Sequence, residues 1–464
     1  MVLFCLLLSR VRREFGSVVI EERGNAFGGG RLLTCSTFRF GRWYRGLPGM
    51  RKLVFVALLT ALTCGPSRAQ ENPTALSPSE AYKAALAPLK AARAQPDDLT
   101  DADKFALAIG MAQASRDCLT LSSKTSALDA NEKELIALGE LCIFGQAYEP
   151  ARATLVKYLS LPQPPEKKLA MVLLVRALLG LNEPAPAERV VRSLQHDFPY
   201  DAQIHFAIDQ VIDAAEGLND WFDNLALQLC TSQNAVTLPL LASGKALEGD
   251  EVAASSSVLF NDALRCVSLA KGRDEPSAQA ALHQLTEIAQ MPNWQGTADY
   301  LPMQAGLERE KMVGGRVPLR SLHGLSLTNS SLLPRTLLLS HGTVVLLPFT
   351  VWSPSAADEA SHLAKLAPQQ TIYAITSWSA NTGRDDAPSD QILTTLRLWQ
   401  RSLPPHVRML VVPNAELSAF HVDSFPAGIL IRDGKVHSIR VLSSAGAERM
   451  LFRPLADHAS KHAE

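Results

Sequence analysis

The sequence lacks the local patterns that would point directly to an activity. No two of its seven cysteines lie three residues apart, so the chain contains no CxxC. That absence excludes the usual zinc-ribbon spacings and the usual dithiol redox motif, because both present two sulfurs from one turn. Glycine-rich phosphate loops, HExxH and GxSxG are also absent, and the eleven histidines form no metal-ligand spacing. We therefore expect no metal site and no cofactor.

An excess of charge of one sign is also lacking. Lysine and arginine together number 45, against 46 aspartate and glutamate residues, and the formal net charge is -1. A protein that neutralises phosphates needs basic excess, so we expect no nucleic-acid partner. The 464 residues, 47% hydrophobic and 20% charged, suffice for two or three domains that each bury a core.

The apolar run from Leu53 to Leu62 is too short for a membrane anchor. It has about half of the roughly 20 residues that a bilayer-spanning helix needs. Two basic residues precede it and a small-residue site ending at Ala69 follows, which is typical of a secretory signal peptide over residues 50–69. We expect a periplasmic or secreted mature chain with no integral membrane segment after cleavage.

Two further features concern the amino-terminal part of the sequence. Cys64 permits processing as a lipoprotein, but Thr63 stands where that class prefers glycine or alanine, so we favour simple cleavage. Residues 1–49 are rich in glycine and arginine and show no hydrophobic period. We interpret them as a mis-assigned upstream extension and Met50 as the true start.

The expected mature chain keeps four cysteines in an oxidising compartment. The pairs nearest in sequence are Cys118 with Cys142 and Cys230 with Cys266. Four cysteines allow three disulfide connectivities. Each cysteine can equally well remain a reduced, buried side chain. Disulfides at these positions are therefore possible and not fixed by the sequence.

Residues 70–310 predict an α-helical domain. From Ser77 onward apolar residues recur at intervals of three and four, with breaks at proline, glycine and asparagine. Two similar segments place Ala151 and Ala187 at equivalent points, 36 residues apart. This period, with a turn before the alanine, resembles the tetratricopeptide repeat, which implies a groove for a peptide or partner protein. A helical domain without a ligand remains an equal alternative.

Residues 317–460 predict a separate α/β domain. The pattern changes after Gly314 and Gly315, which suggest some freedom between the domains. Strand and helix signals then follow in the order βαβαββα, beginning with the apolar strand Thr343 to Thr350. Asp433 and Gly434 give the strongest hairpin signal.

Two parts of this domain carry a family resemblance. An apolar strand leads to Trp352 and a turn into a helix bearing Glu359, which resembles the strand-turn-helix of the exported thioredoxin-like reductases. Phe425 and Pro426, followed by GILIRDGKV, are similar to the cis-proline loop and hairpin of that family. The resemblance implies an α plus α/β protein, with an N-terminal tetratricopeptide-like domain and a C-terminal thioredoxin-like domain.

The sequence departs from that family at the redox motif, which reads Trp352, Ser353, Pro354, Ser355 and Ala356. The two cysteine positions fall on a serine and an alanine, which cannot perform thiol-disulfide exchange. We expect the serines to cap the following helix and no residue here to be catalytic.

Other residues near the motif do not restore chemistry. His362 lies along the same helix and is poorly placed as a base, so we expect a surface or packing role. In the family, the loop at Pro426 offers its backbone to an extended peptide, which needs no cysteine. Alternatively, Pro426 only sets a tight turn.

The favoured hypothesis is an exported protein-binding or scaffold protein that is redox-inactive and not an enzyme, with a protein or peptide as partner. The alternative is a thiol-disulfide oxidoreductase accessory that uses helical-domain cysteines such as Cys118 and Cys142. A third hypothesis makes the last domain a structural cap on the helical array.

Overall fold

The computed structural model describes residues 76–92, 101–123, 131–245, 247–248, 256–271, 273–327, 332–350, 356–377, 390–422, 425–442 and 445–461. The expected upstream extension 1–49 and signal peptide 50–69 lie outside these residues. Helices occupy the first part of the described chain, and a mixed seven-stranded sheet with its own helices occupies the second. This arrangement confirms the predicted class of α plus α/β.

The helices of the first part pack on one another in sequence order. One apolar cluster runs from the first to the ninth helix, and a second joins the last four. The helices are α1 (Pro78–Ala92), α2 (Asp101–Ser122), α3 (Glu132–Phe144), α4 (Tyr148–Leu159), α5 (Lys167–Gly180), α6 (Pro184–Asp197), α7 (Ala202–Ala215), α8 (Asp220–Ser243), α9 (Ser256–Ala270), α10 (Glu275–Ala289) and α11 (Tyr300–Met312).

Polar side chains set the predicted helix starts. The backbone N–H of Ser77 donates to the Glu80 carboxylate at 2.9 Å, and the Ser77 hydroxyl accepts from the N–H of Glu80, so the two residues form a capping box at α1. At α3 the side-chain oxygen of Asn131 accepts from the N–H of Glu134. Each contact satisfies a first-turn N–H that has no partner within its helix.

The 36-residue offset has a counterpart in the turns. Gln146 and Asn182, in the turns after α3 and α5, both take left-handed φ angles, of 56° and 59°. The α3–α4 and α5–α6 pairs, which we name the repeat units, thus share a turn conformation at this offset. Fully buried pairs at the same offset are Ala151 with Ala187, Leu155 with Val191, and Tyr158 with Leu194.

The sheet has the strand order β2-β1-β5-β4-β3-β6-β7. Strands β3, β4 and β5 are mutually parallel, whereas β6 runs antiparallel to β3 and β7 antiparallel to β6. The elements are β1 (Ser321–Leu327), β2 (Leu332–Leu338), β3 (Thr343–Pro348), α12 (Ala356–Leu366), β4 (Ile372–Ser377), α13 (Asp390–Ser402), β5 (Val407–Val412), α14 (Asn414–Ser418), β6 (Ala427–Arg432), β7 (Lys435–Val441) and α15 (Ala445–Lys461).

Strand β3 lies near the centre of the sheet and is buried on both faces. Val345 belongs to the apolar cluster under α12, α13 and α15, whereas Leu346 belongs to the cluster on the opposite face. This agrees with its continuous apolar sequence, which is typical of a strand covered on both sides.

The predicted hairpin is present between β6 and β7. Asp433 and Gly434 both have positive φ angles, 49° and 73°, as a two-residue type I′ turn requires.

The segment at Gly314 and Gly315, where we expect some freedom between the domains, is hydrogen-bonded to the sheet. The N–H of Gly314 donates to the carbonyl of Val436 at 2.8 Å, and the N–H of Val436 donates to the carbonyl of Gly315 at 3.0 Å. Arg316 forms an antiparallel bridge with Lys435. The connecting segment is thus bonded to the edge of β7, because that strand otherwise leaves its backbone groups unpaired.

Candidate functional site

The degenerate redox motif lies almost entirely outside the described residues. Trp352, Ser353, Pro354 and Ser355 are among the residues not described, and α12 begins at Ala356, whose side chain is not described either. The proposed capping role of the two serines therefore stays a prediction.

The peptide bond between Phe425 and Pro426 is cis. Pro426 is buried, and its carbonyl accepts a hydrogen bond of 2.9 Å from the N–H of Leu442. Leu346 of β3 pairs with Ile429 of β6, so the loop lies at the edge of the sheet where β3 ends. The fold thus brings the proline loop beside the strand that leads into the motif.

The cysteines form two disulfides, both within the helical part. Cys118 in α2 bonds to Cys142 in α3, and Cys230 in α8 bonds to Cys266 in α9, with Cα atoms 5.1 and 5.3 Å apart. All four side chains are at most 4% exposed. Because no cysteine follows Cys266 in the sequence, the sheet part of the chain has no thiol at all.

An apolar groove of about 400 Å³ crosses the repeat units, between α4, α5 and α6. Val156 of α4 lies in its wall and is 53% exposed, which is high for an aliphatic side chain. Arg152 at the groove is paired with Glu183 at 3.1 Å. The groove is lined by Arg152, Val156, Met171, Leu174, Leu178, Pro186, Arg189, Val190 and Ser193.

Comparisons with known proteins add one likeness. A scan against protein-family models and a search of curated proteins both find no match. A solved structure, a thioredoxin-like protein from Aeropyrum pernix, matches at 18% sequence identity over 28% of this chain and 89% of that chain, with a TM-score of 0.23.

The described helices were compared with the length and hydropathy of a membrane span. No helix in the described part of the chain has both the length and the hydropathy to cross a bilayer.

The sheet docks on the helical part through α15. The Arg449 guanidinium donates to the backbone oxygens of Asp213 at 2.8 Å, Ala214 at 3.2 Å and Glu216 at 2.9 Å, at the end of α7. Gly446 lies one turn earlier, where a Cβ atom would meet the backbone oxygen of Asp213 at 2.4 Å. We name this contact between α15 and the end of α7 the seam.

A second arginine extends the seam to α8. Asp223 is fully buried and receives the N–H of Gly217 at 2.6 Å, and Arg273 and Arg453 both contact its carboxylate. Arg453 also bonds to Asp220 at 2.8 Å. Because a buried carboxylate is costly without positive partners, these two arginines stabilise it.

Carboxylates crowd around Arg265 beside the seam. Its guanidinium contacts Asp209 at 2.6 Å, Asp213 at 3.0 Å and Glu216 at 2.8 Å. Burial raises the pKa of Asp209 above its ordinary value, and burial together with the charge of Asp209 holds the pKa of Asp262 well above its own.

The sequence predicted a groove in the helical part without naming its residues, and it did not predict the seam. The residues at the seam lie more than 200 positions apart along the chain, and no local pattern links them. One signal was present: α15 carries Gly446, an unfavourable residue in a helix, which indicates close backbone packing.

Proposed function

We propose that this chain is an exported interaction protein. In this proposal the helical part is a short array of the tetratricopeptide type that binds a partner protein or peptide. The sheet part is a thioredoxin-like domain without redox chemistry, docked on the array at the seam.

One observation carries the proposal: the distribution of sulfur. The region that resembles a thiol reductase contains no cysteine. The four cysteines elsewhere in the described residues are bonded in pairs and buried. Thiol-disulfide exchange needs an accessible thiolate, and none of these sulfurs supplies one.

The disulfides also support export. Such bonds persist in the periplasm or outside the cell and are rare in reducing compartments. Together with the signal-peptide pattern at residues 50–69, they favour a periplasmic or secreted location.

The binding surface in this proposal is the groove between α4, α5 and α6. Its apolar wall and the exposed Val156 suit apolar side chains of a partner, and Arg189 suits an acidic residue beside them. The loop at Pro426 is a second candidate surface, where an extended segment can bond to backbone.

The redox part of the proposal is tested with the purified, oxidised protein. We expect no turnover in an insulin-disulfide reductase assay, and no alkylation of Cys118, Cys142, Cys230 or Cys266 after mild reductant. Turnover that disappears only in a cysteine-to-serine variant would contradict the proposal.

The binding part is tested in two steps. Proteins captured from periplasmic extract are identified and purified, and their affinity is then measured by calorimetry. We expect Val156→Asp to weaken binding more than about tenfold, because it places a charge on the apolar wall. Val258→Asp is the matched control, since Val258 is 44% exposed on α9, away from the groove.

A third variant, Pro426→Ala, distinguishes binding at the groove from binding at the proline loop. Loss of binding in Pro426→Ala with full binding in Val156→Asp would move the site to the proline loop. Equal affinity in all variants would contradict binding at either surface.

The two disulfides favour a second candidate function, an accessory of disulfide exchange that uses Cys118 and Cys142. It requires the helices α2 and α3 to open, because both sulfurs are buried. Partners captured as mixed disulfides through these cysteines would support it.

A further inference from the structure

Two acidic side chains and a histidine converge between α12 and α15. Glu359 and His362 lie one turn apart on α12, and Glu448 comes from α15. One potential ligand atom from each residue lies within 4.8 Å of the other two, and the Nδ1 atom of His362 contacts Oε2 of Glu448. The cluster is separate from the groove and from the contacts that form the seam.

The two carboxylates are buried and the imidazole is accessible. Glu359 is 6% exposed and Glu448 is 5% exposed. The His362 side chain is 49% exposed, so an ion can reach the cluster from solvent on that side. Buried carboxylates are favourable only with positive or hydrogen-bonding partners, and a cation bound between them would be shared by both.

The donor set indicates the class of cation. One imidazole nitrogen and two carboxylate oxygens give three protein ligands and leave a coordination position open. Imidazole favours first-row transition ions over Mg²⁺ or Ca²⁺, which prefer oxygen ligands alone. Ligand atoms around a tetrahedral zinc ion are about 3.4 Å apart at bond lengths of roughly 2.1 Å, so small side-chain rotations suffice to close the site.

We propose that Glu359, His362 and Glu448 bind a divalent transition-metal ion such as Zn²⁺. The ion joins α12, the helix that follows the degenerate motif, to α15. Because Arg449 follows Glu448 directly, the same turn of α15 holds the ion on one side and the end of α7 on the other. Metal binding therefore stiffens the helix through which the sheet docks.

The test uses the full protein, purified without a polyhistidine tag and stripped with chelator. Titration calorimetry with Zn²⁺ should give one site per chain, and Co²⁺ bound in its place should show the visible d–d absorption of a cobalt ion held by nitrogen and oxygen ligands. Zn²⁺ should also raise the melting temperature, because it binds only the folded state. Mg²⁺ at the same concentration should neither bind in the calorimeter nor raise the melting temperature.

The decisive variant is His362→Asn, since a half-exposed side chain can be replaced without disturbing the core. We expect a loss of Zn²⁺ affinity of more than about tenfold, and the same loss in Glu448→Gln. His323→Asn is the matched control, because His323 faces a single carboxylate, Glu416, at 3.3 Å. Absence of Zn²⁺ binding, or equal affinity in His362→Asn and wild type, would overturn the proposal.

Discussion

The guanidinium of Arg449 donates a hydrogen bond of 2.9 Å to the backbone oxygen of Glu216. Glu216 is the residue that follows α7, and the last carbonyls of a helix have no partner inside it. The helix dipole also favours a positive charge at this end. A side chain from α15 thus completes the carboxyl end of α7, a helix of the helical part.

We expect Arg449→Ala to lower the free energy of unfolding by about 2 to 3 kcal/mol, because three carbonyls lose a charged donor. Urea unfolding measures the change. Arg408→Ala, at an exposed position of β5, is the control and should stay within about 0.5 kcal/mol of wild type. Equal midpoints for both variants would show that water replaces Arg449 without cost.

We expect Gly180→Ala to cost about 1 to 3 kcal/mol. An added Cβ atom would meet ring atoms of Tyr148 at 2.4 to 2.6 Å, between the two repeat units. In a Tyr148→Ala background the same substitution should cost nothing, because the ring is gone. A double-mutant cycle in urea measures this coupling, and purely additive effects would contradict the packing argument.

We expect Asp262→Asn to stabilise the protein at neutral pH by about 1 kcal/mol. Burial raises the pKa of Asp262 in the folded protein above its value in the unfolded chain. The contribution of Asp262 to stability is therefore fully present below the unfolded pKa, and it is lost as pH rises through the folded pKa. Asparagine stays neutral and avoids that loss. The gain should vanish near about pH 3, where wild type is protonated too. Unfolding curves at both pH values decide, and a gain at pH 3 equal to that at pH 7 would contradict this explanation.

We expect removal of either disulfide, by Cys118→Ala with Cys142→Ala or by Cys230→Ala with Cys266→Ala, to cost about 3 to 4 kcal/mol. The bonds close loops with sequence separations of 24 and 36 residues, which restrict the unfolded chain to a similar degree. Thermal and urea unfolding of each double variant measure the loss. A much larger loss for one pair would show that it also holds packing that the other does not.

Much of the fold followed from short-range patterns. The apolar run that includes Val345 and Leu346 correctly predicted a buried strand, and Asp433 with Gly434 correctly predicted a hairpin. Both structures depend mainly on residues that are neighbours in the sequence. The hairpin of β1 and β2 was missed. Pro334 stands inside β2, and a proline normally argues against a strand, but β2 is an edge strand and tolerates it.

The candidate sites could be predicted only in part. Pro426 was singled out by the family resemblance, and the two cysteine pairs were the nearest in sequence among three possible connectivities. Glu448, by contrast, joins Glu359 and His362 only through the packing of α15, and the groove at Val156 exists only once three helices are assembled. Contacts of that kind depend on tertiary structure, which local sequence motifs do not predict.

The hydrogen bonds from Arg449 join residues 233 to 236 positions apart. Because a chain is synthesised from its amino end, α7 and the other helices of the helical part are complete long before Arg449 emerges. Until then the terminal carbonyls of α7 face water. Any chain that lacks α15 leaves this surface open to proteases and chaperones.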